Sequence, residues 1–288
     1  MTRKNLPDRR LNLYRPDLAA AHLRGEVDAK RFVEGEDMQV KLPCVPLLRE
    51  PRADAPMDTQ ILFGEIFRVY EEKDGWAYGQ STQDDYVGYV ELTALDPRLY
   101  RPTHVVASIR SFIYPEPDLK TRPVTPLGLN TKVRVVAAQG DYSEIERGGW
   151  VFTNHLAPVG AHVRDFVSVA EELRGVPYLW GGRDSLGLDC SGLVQAALER
   201  AGIASLRDTD MQEATLGERL PEPIDFTTLK RGDLVFWKGH VGIMLDSEHL
   251  IHANAFHMRV DVERLDIAMA RIARSAGHVT SIKRLPKR

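Results

Sequence analysis

The sequence predicts a multidomain chain in which two small β-barrels precede an α+β domain. Three observations carry that expectation. The chain has 288 residues, long for one compact core, so two or three modules are the prior. Short alternating apolar runs between Met38 and about Asp96 are echoed between Val105 and Pro158. Beyond Pro158 the apolar period becomes helical and then returns to strand-sized runs, the pattern of an α+β domain.

Residues 1–35 are polar and charged, with Pro7 and Pro16 breaking any long pattern. They are read as an arm packed on the body, with a short helix over Pro16 to Arg24. The first barrel is expected over 36–98. Gln39-Val40-Lys41-Leu42, Gln60-Ile61-Leu62-Phe63, Ile66-Phe67-Arg68-Val69-Tyr70, Trp76-Ala77-Tyr78 and Tyr86-Val87-Gly88-Tyr89-Val90 are strand-sized, separated by turn clusters such as Lys73-Asp74-Gly75. The second barrel, 101–158, reads as a worn copy of the first. Arg68 aligns with Arg134 and Trp76 with Tyr142, while Leu95 aligns with Leu156, as a tandem duplication would leave them.

The last domain is expected over 160–288. Val163, Phe166, Val167, Ala170 and Leu173 mark an amphipathic helix ended by Gly175 and Pro177. A second helix begins near Cys190, with Leu193, Val194, Ala197, Leu198 and Ala201 on one face and Gly202 as its stop. Strand-like runs follow at 234–237, 241–245 and 250–253.

Composition excludes several classes of function. Lys and Arg number 38 against 41 Asp and Glu, a formal net charge of −3, which gives no overall grip on nucleic acid or an anionic membrane. Hydrophobic residues at 43% argue against extended disorder. Two cysteines, Cys44 and Cys190, make no disulfide framework, and clusters of CxxC type are absent. The N-terminus has basic residues without an apolar stretch behind them, and no window reaches 18 apolar residues. The expected location is the cytoplasm.

Cys190 is the centre of the chemistry. It opens the second helix in Leu188-Asp189-Cys190-Ser191-Gly192, where unsatisfied N–H groups and the positive dipole end favour a thiolate. A free cysteine is more often an inert core residue, and Cys44, between Pro43 and Val45, keeps that reading. The helix start and the polar neighbours Asp189 and Ser191 favour a nucleophile at 190. Such a nucleophile needs a base and a group to orient the base. His240 opens a strand between glycines in Lys238-Gly239-His240-Val241-Gly242, and His252 lies in the next strand. A hairpin turn centred on Asp246 would make the two histidines cross-strand partners, whereas a turn over 246–249 would spoil that pairing. His155, His162, His249, His257 and His278 are assigned surface or capping roles.

These residues carry a family resemblance. LDCSGLVQ, GHVGIML and LIHA, with the upstream PYLWGG and the segment RGDLVF, stand in one order in the last domain. Together, within the 77 residues from Pro177 to Ala253, they resemble the NlpC/P60 cysteine peptidases, which cleave peptides of the bacterial cell wall with a papain-like core and a Cys-His-His triad. The resemblance implies Cys190 as nucleophile, His240 as base and His252 as orienting residue. It implies Tyr178 as a hydroxyl donor to the oxyanion beside a backbone N–H of the Cys190 turn, and it implies no metal or organic cofactor.

The order of modules, two bacterial SH3-type barrels before such a domain, further resembles γ-D-glutamyl-L-diamino acid endopeptidases that trim free murein peptides during recycling. That resemblance implies a free N-terminal L-Ala on the substrate. The amine would be held by Asp189 and Asp208, with Ser191 and Thr209 alongside and Trp180 as an apolar wall for the alanine methyl. It also implies a tyrosine and a glutamate from the first barrel; Tyr86 and Glu65 are the candidates, with Tyr89 as the fallback. The alternatives are an exported hydrolase of intact cross-linked peptidoglycan, and a non-catalytic protein that binds peptide. Oligomeric state, and the choice between diaminopimelate and lysine, stay open.

Overall fold

The structure, a computed structural model, describes residues 6–286. The first five residues of the expected arm lie outside the described residues. The chain divides into two compact units. Among the described residues, one holds 6–106 with Ser111–Leu127 and Thr131–Leu156; the other holds Ala107–Arg110, Gly128–Asn130 and 157–286.

In the first unit the arm is not helical. β1 (Leu18–Ala20) pairs in parallel with β2 (Arg31–Val33), and the residues between them begin with a 3-10 turn at Ala21–Leu23. The physical reason is two-sided burial. Leu18, Ala19 and Ala20 are all fully buried, in a cluster with Leu13, Leu23, Val27 and Tyr78. A surface helix buries only one stripe, so three successive buried residues favour an extended segment.

The strands that follow are β3 (Glu36–Val40), β4 (Cys44–Leu48), β5 (Met57–Leu62), β6 (Ile66–Lys73), β7 (Trp76–Ser81), β8 (Val87–Glu91) and β9 (Leu95–Asp96). They form one antiparallel sheet in the order β5-β4-β8-β7-β6-β3-β9. Cys44, expected to be buried, is only partly covered at the start of β4.

The next strands are β10 (His104–Val106), β11 (Arg110–Ile113), β12 (Thr125–Gly128), β13 (Lys132–Val133), β14 (Val135–Gln139), β15 (Tyr142–Ile145), β16 (Trp150–Phe152) and β17 (Leu156–Pro158). They repeat the plan of the first set. The order β13-β10-β17 mirrors β6-β3-β9, and β14-β15-β16 mirrors β6-β7-β8. The single strand β6 is matched by β13 and β14, which Arg134 separates. In both halves a strand runs into a 3-10 turn, Leu92–Ala94 or Thr153–His155, and then into a final short strand. The offsets of 66 and 61 residues seen in the sequence are those of these matched elements. Phe63, Val106, Ile113, Leu127, Val133, Ile145 and Val151 form the core under the second set.

The second unit contains α1 (Phe166–Glu172), the hairpin of β18 (Arg183–Asp184) and β19 (Gly187–Leu188), α2 (Cys190–Arg200), α3 (Thr209–Thr215), β20 (Glu218–Arg219), β21 (Leu234–Trp237), β22 (His240–Met244), β23 (His249–Asn254), β24 (Arg259–Arg264), α4 (Leu265–Ile272) and β25 (Ser281–Arg284). Six of the strands make a sheet in the order β20-β25-β21-β22-β23-β24. Strand alternation divides its side chains between two cores. Leu234, Phe236, Val241, Ile243, Ile251 and Ala253 pack with α1 and α2. Val235, Trp237, Met244 and Leu250 pack with α4. Among the described residues no helix is long and apolar enough to cross a membrane.

Candidate active site

The start of α2 is built around Asp189. As the residue capping the helix, it accepts the N–H of Gly192 on Oδ1 at 2.7 Å and that of Gly181 on Oδ2 at 2.9 Å. The guanidinium of Arg207, 1% exposed, donates to Oδ1 at 3.0 Å and Oδ2 at 2.7 Å, and to the Ser191 hydroxyl at 2.8 Å. Ser191 adds its own hydroxyl to Oδ1 at 3.3 Å. Gln212 ties α3 to this corner, donating to the carbonyls of Ser191 and Leu206, both at 3.0 Å. A side chain at 192 would meet the Gly182 carbonyl at 2.1 Å, so the helix rests backbone to backbone on the hairpin before it.

Five donors thus meet the two oxygens of the Asp189 carboxylate, the group expected to face the substrate amine. Its place in the structure is to hold the helix start. Asp208 stands half-buried at the N-cap position of α3. The adjoining Thr209 is buried and places its hydroxyl 3.8 Å from the Cys190 sulfur.

Cys190 itself is buried, and the backbone N–H of Val241 faces its sulfur. Burial works against the thiolate that the helix start favours. Burial, then the Asp189 charge, push the thiol up to about 11; Thr209, the Val241 N–H and Arg207 oppose them without prevailing. Tyr178 lies close enough to feel the charges of Cys190 and Asp189, and burial above all holds its hydroxyl protonated. A backbone bond from its N–H to Met258 at 2.9 Å fixes the segment. Trp180, two residues on, is 69% exposed.

The two histidines meet, by a route different from the expected one. Ile243 pairs with Ile251 and Met244 with Leu250, so residue numbers of partners sum to 494 and not to 492. His252 therefore faces Gly242, and His240 is its diagonal neighbour. The absent side chain at 242, where a Cβ would lie 3.4 Å from the His252 Cβ, opens the space across which His240 Nε2 reaches His252 Nδ1 at 2.8 Å. Asp246 sets this register by accepting the N–H groups of Glu248 and His249 at 2.7 and 2.8 Å. His252, fully buried, places Nε2 2.8 Å from Glu263 Oε1 on β24, and Arg271 of α4 pairs with the same carboxylate.

The tautomers follow from this chain. An ionised Glu263 only accepts, so His252 Nε2 carries the proton. Neutral His252 then accepts on Nδ1, which makes His240 Nε2 a donor. The lone pair of His240 is left on Nδ1. Burial first, with His252 and Arg271 adding to it, pushes His240 down to about 3 and keeps the ring neutral; burial also lowers His252.

Glu263, Arg271, Arg207 and Gln212 were not singled out in the sequence. Nothing local marks them, because each acts across strands or helices whose register the sequence does not state. Of the candidates in the first unit, Tyr86 is buried, and Glu65 is buried with its carboxylate accepting the Leu62 N–H at 2.9 Å. Tyr89 stacks on Tyr78 and accepts from Arg15 at 2.8 Å.

Comparison with known proteins gives a consistent picture. A model described as "Bacterial dipeptidyl-peptidase Sh3 domain" matches residues 47–95, and one described as "NlpC/P60 family" matches residues 175–273. "Dipeptidyl-peptidase 6" of Lysinibacillus sphaericus is 26% identical over 246 residues, spanning 76% of this chain and 88% of that protein. "Gamma-D-glutamyl-L-lysine dipeptidyl-peptidase" of Bacillus subtilis is 26% identical over 228 residues, spanning 69% of this chain and 73% of that protein. The crystal structure of an NlpC/P60 family protein from Bacillus cereus shares the fold, with a TM-score of 0.72 and 18% identity over 87% of this chain and all of that one.

Proposed function

The chain belongs to the NlpC/P60 family of cysteine peptidases, and from that premise we propose that it hydrolyses the γ-D-Glu–diamino acid bond of free murein peptides with an unblocked N-terminal L-Ala. The names of the two curated relatives support this reading, since a dipeptidyl-peptidase counts two residues from a free amine and one name states the γ-D-glutamyl bond. The observation that carries the chemistry is the His240–His252–Glu263 chain. It leaves one basic ring nitrogen, His240 Nδ1, on the residue next to Val241, whose N–H faces the Cys190 sulfur.

In this reading Asp208 and Thr209 receive the substrate amine, and the γ-carbonyl of D-Glu comes to rest at Cys190. His240 Nδ1 takes the thiol proton as the sulfur adds to the carbonyl carbon. The resulting oxyanion accepts from the Tyr178 hydroxyl, which burial keeps protonated, and from a backbone N–H at the start of α2. His240 returns its proton to the departing amine of the diamino acid. Water then adds to the thioester, giving its proton to His240, and collapse of that adduct releases the dipeptide acid and the thiol.

The test compares the free tripeptide L-Ala-γ-D-Glu-meso-diaminopimelate with its N-acetylated form and with purified wall sacculi. Cleavage of the free peptide alone is expected, and Cys190→Ala should lose it while staying folded. Equal cleavage of the acetylated peptide or of sacculi overturns the amine requirement. Turnover above a few per cent in the alanine variant overturns the role of Cys190.

A further inference from the structure

The histidine pair ends on a carboxylate that the Cys-His-His set does not include. We infer that Glu263 is a positioning residue for this peptidase: acting through His252, it fixes the proton of His240 on Nε2, and Arg271 holds it in place as an anion. This rests on the reading of His240 as the base.

The geometry is directional. His252 has one ring nitrogen 2.8 Å from His240 and the other 2.8 Å from Glu263. With both ring nitrogens engaged and the side chain fully buried, His252 has no route to exchange protons with water. Its tautomer is therefore chosen by whichever neighbour is unable to donate, and a carboxylate is such a neighbour. The other charged groups around the pair are cationic or already committed. Arg271 shares Glu263 Oε1 and packs its guanidinium 4.6 Å from the Phe256 ring. His257, the other imidazole near His252, bonds to Asn254 at 3.1 Å. Asp261, cross-strand from His252, is occupied by Arg259 at 2.7 Å. Glu263 is thus the anion that orders the relay. Arg271 offsets its charge, so the carboxylate accepts a proton in a hydrogen bond without drawing it off the ring.

Two variants separate the acceptor from the charge. Glu263→Gln keeps an oxygen that accepts from both His252 and Arg271, whereas Glu263→Leu removes the acceptor. Nitrogen-15 NMR of the imidazoles at pH 7 is expected to show His240 and His252 of the wild type protonated on Nε2. The pattern should be retained in Glu263→Gln and replaced in Glu263→Leu by a substantial Nδ1-protonated population at His240. On the tripeptide, kcat is expected to fall about 10-fold in Glu263→Gln and about 100-fold in Glu263→Leu, with KM within twofold. If Glu263→Leu does not fold, the ring signals and kcat of Glu263→Gln carry the test. Unchanged tautomers with unchanged kcat in the folded variants would overturn the inference. A wild type that shows the expected tautomers but leaves the tripeptide intact refutes the substrate reading and not this one.

Discussion

Arg207 and Asp189 form a two-pronged ion pair inside the second unit, at 3.0 and 2.7 Å, immediately before the nucleophile in the chain. The pair joins the loop ahead of α3 to the start of α2. It fixes where the helix begins, and with it the position of the sulfur.

Breaking that pair should cost far more than a surface ion pair. Arg207→Met leaves the Asp189 carboxylate buried without its cation, a change that removes about 3–5 kcal/mol in buried pairs. Urea unfolding is the measurement. Arg207→Lys should recover only part of the loss, since an ammonium does not match both oxygens in a plane. A loss below about 1 kcal/mol for the methionine variant would mean that water reaches this corner.

The resting thiol should be slow to alkylate. Burial and Asp189 disfavour the charged form and raise the thiol to about 11, so its thiolate fraction grows with pH up to that point. In a Cys44→Ser background, the iodoacetamide rate of the free enzyme is expected to rise about tenfold per pH unit from 7 to 10. A rate already level below pH 7 would instead mean a standing thiolate–imidazolium pair.

Gly242 should tolerate nothing larger. A Cβ there would lie 2.5 Å from Leu250 Cδ1, and Leu250 is fully buried with nowhere to go. Gly242→Ala is expected to lower stability by about 1–3 kcal/mol. It should also reduce kcat by displacing His252 from His240. Normal activity in a destabilised variant would show that the ring pair survives the intrusion.

Much of this was legible in the sequence, and the misses have physical causes. The helices of the second unit and the strands at 234, 241 and 250 follow directly from apolar period and from glycine stops. The duplicated plan of the first unit was visible in two offsets, because turns and 3-10 corners keep their spacing when side chains diverge. The arm was misread because Leu18-Ala19-Ala20 has no period of its own; tertiary burial decides its conformation. The register between His240 and His252 turned on how many residues the Asp246 turn consumes, a matter of two positions that the sequence does not state. The structural part of Asp189 was hidden for a related reason. An acidic residue before a helix reads equally as a cap or as a ligand for an amine, and the choice depended on Arg207, eighteen positions away and silent in any local pattern. Glu263 lay beyond reach for the same cause: its partner is set by the pairing of β23 with β24.

The backbone contact between Gly192 and Gly182 has a consequence for how this fold is altered. With no side chain between them, the nucleophile's helix stands too near the Gly182 carbonyl to admit even a methyl group. An added methyl at 192 would meet the Gly182 carbonyl at 2.1 Å, so the helix start, and the sulfur with it, would have to move. Attempts to redirect this scaffold to other peptides therefore have freedom at its open rim, where Leu179, Trp180 and Leu186 face solvent, and none along this seam.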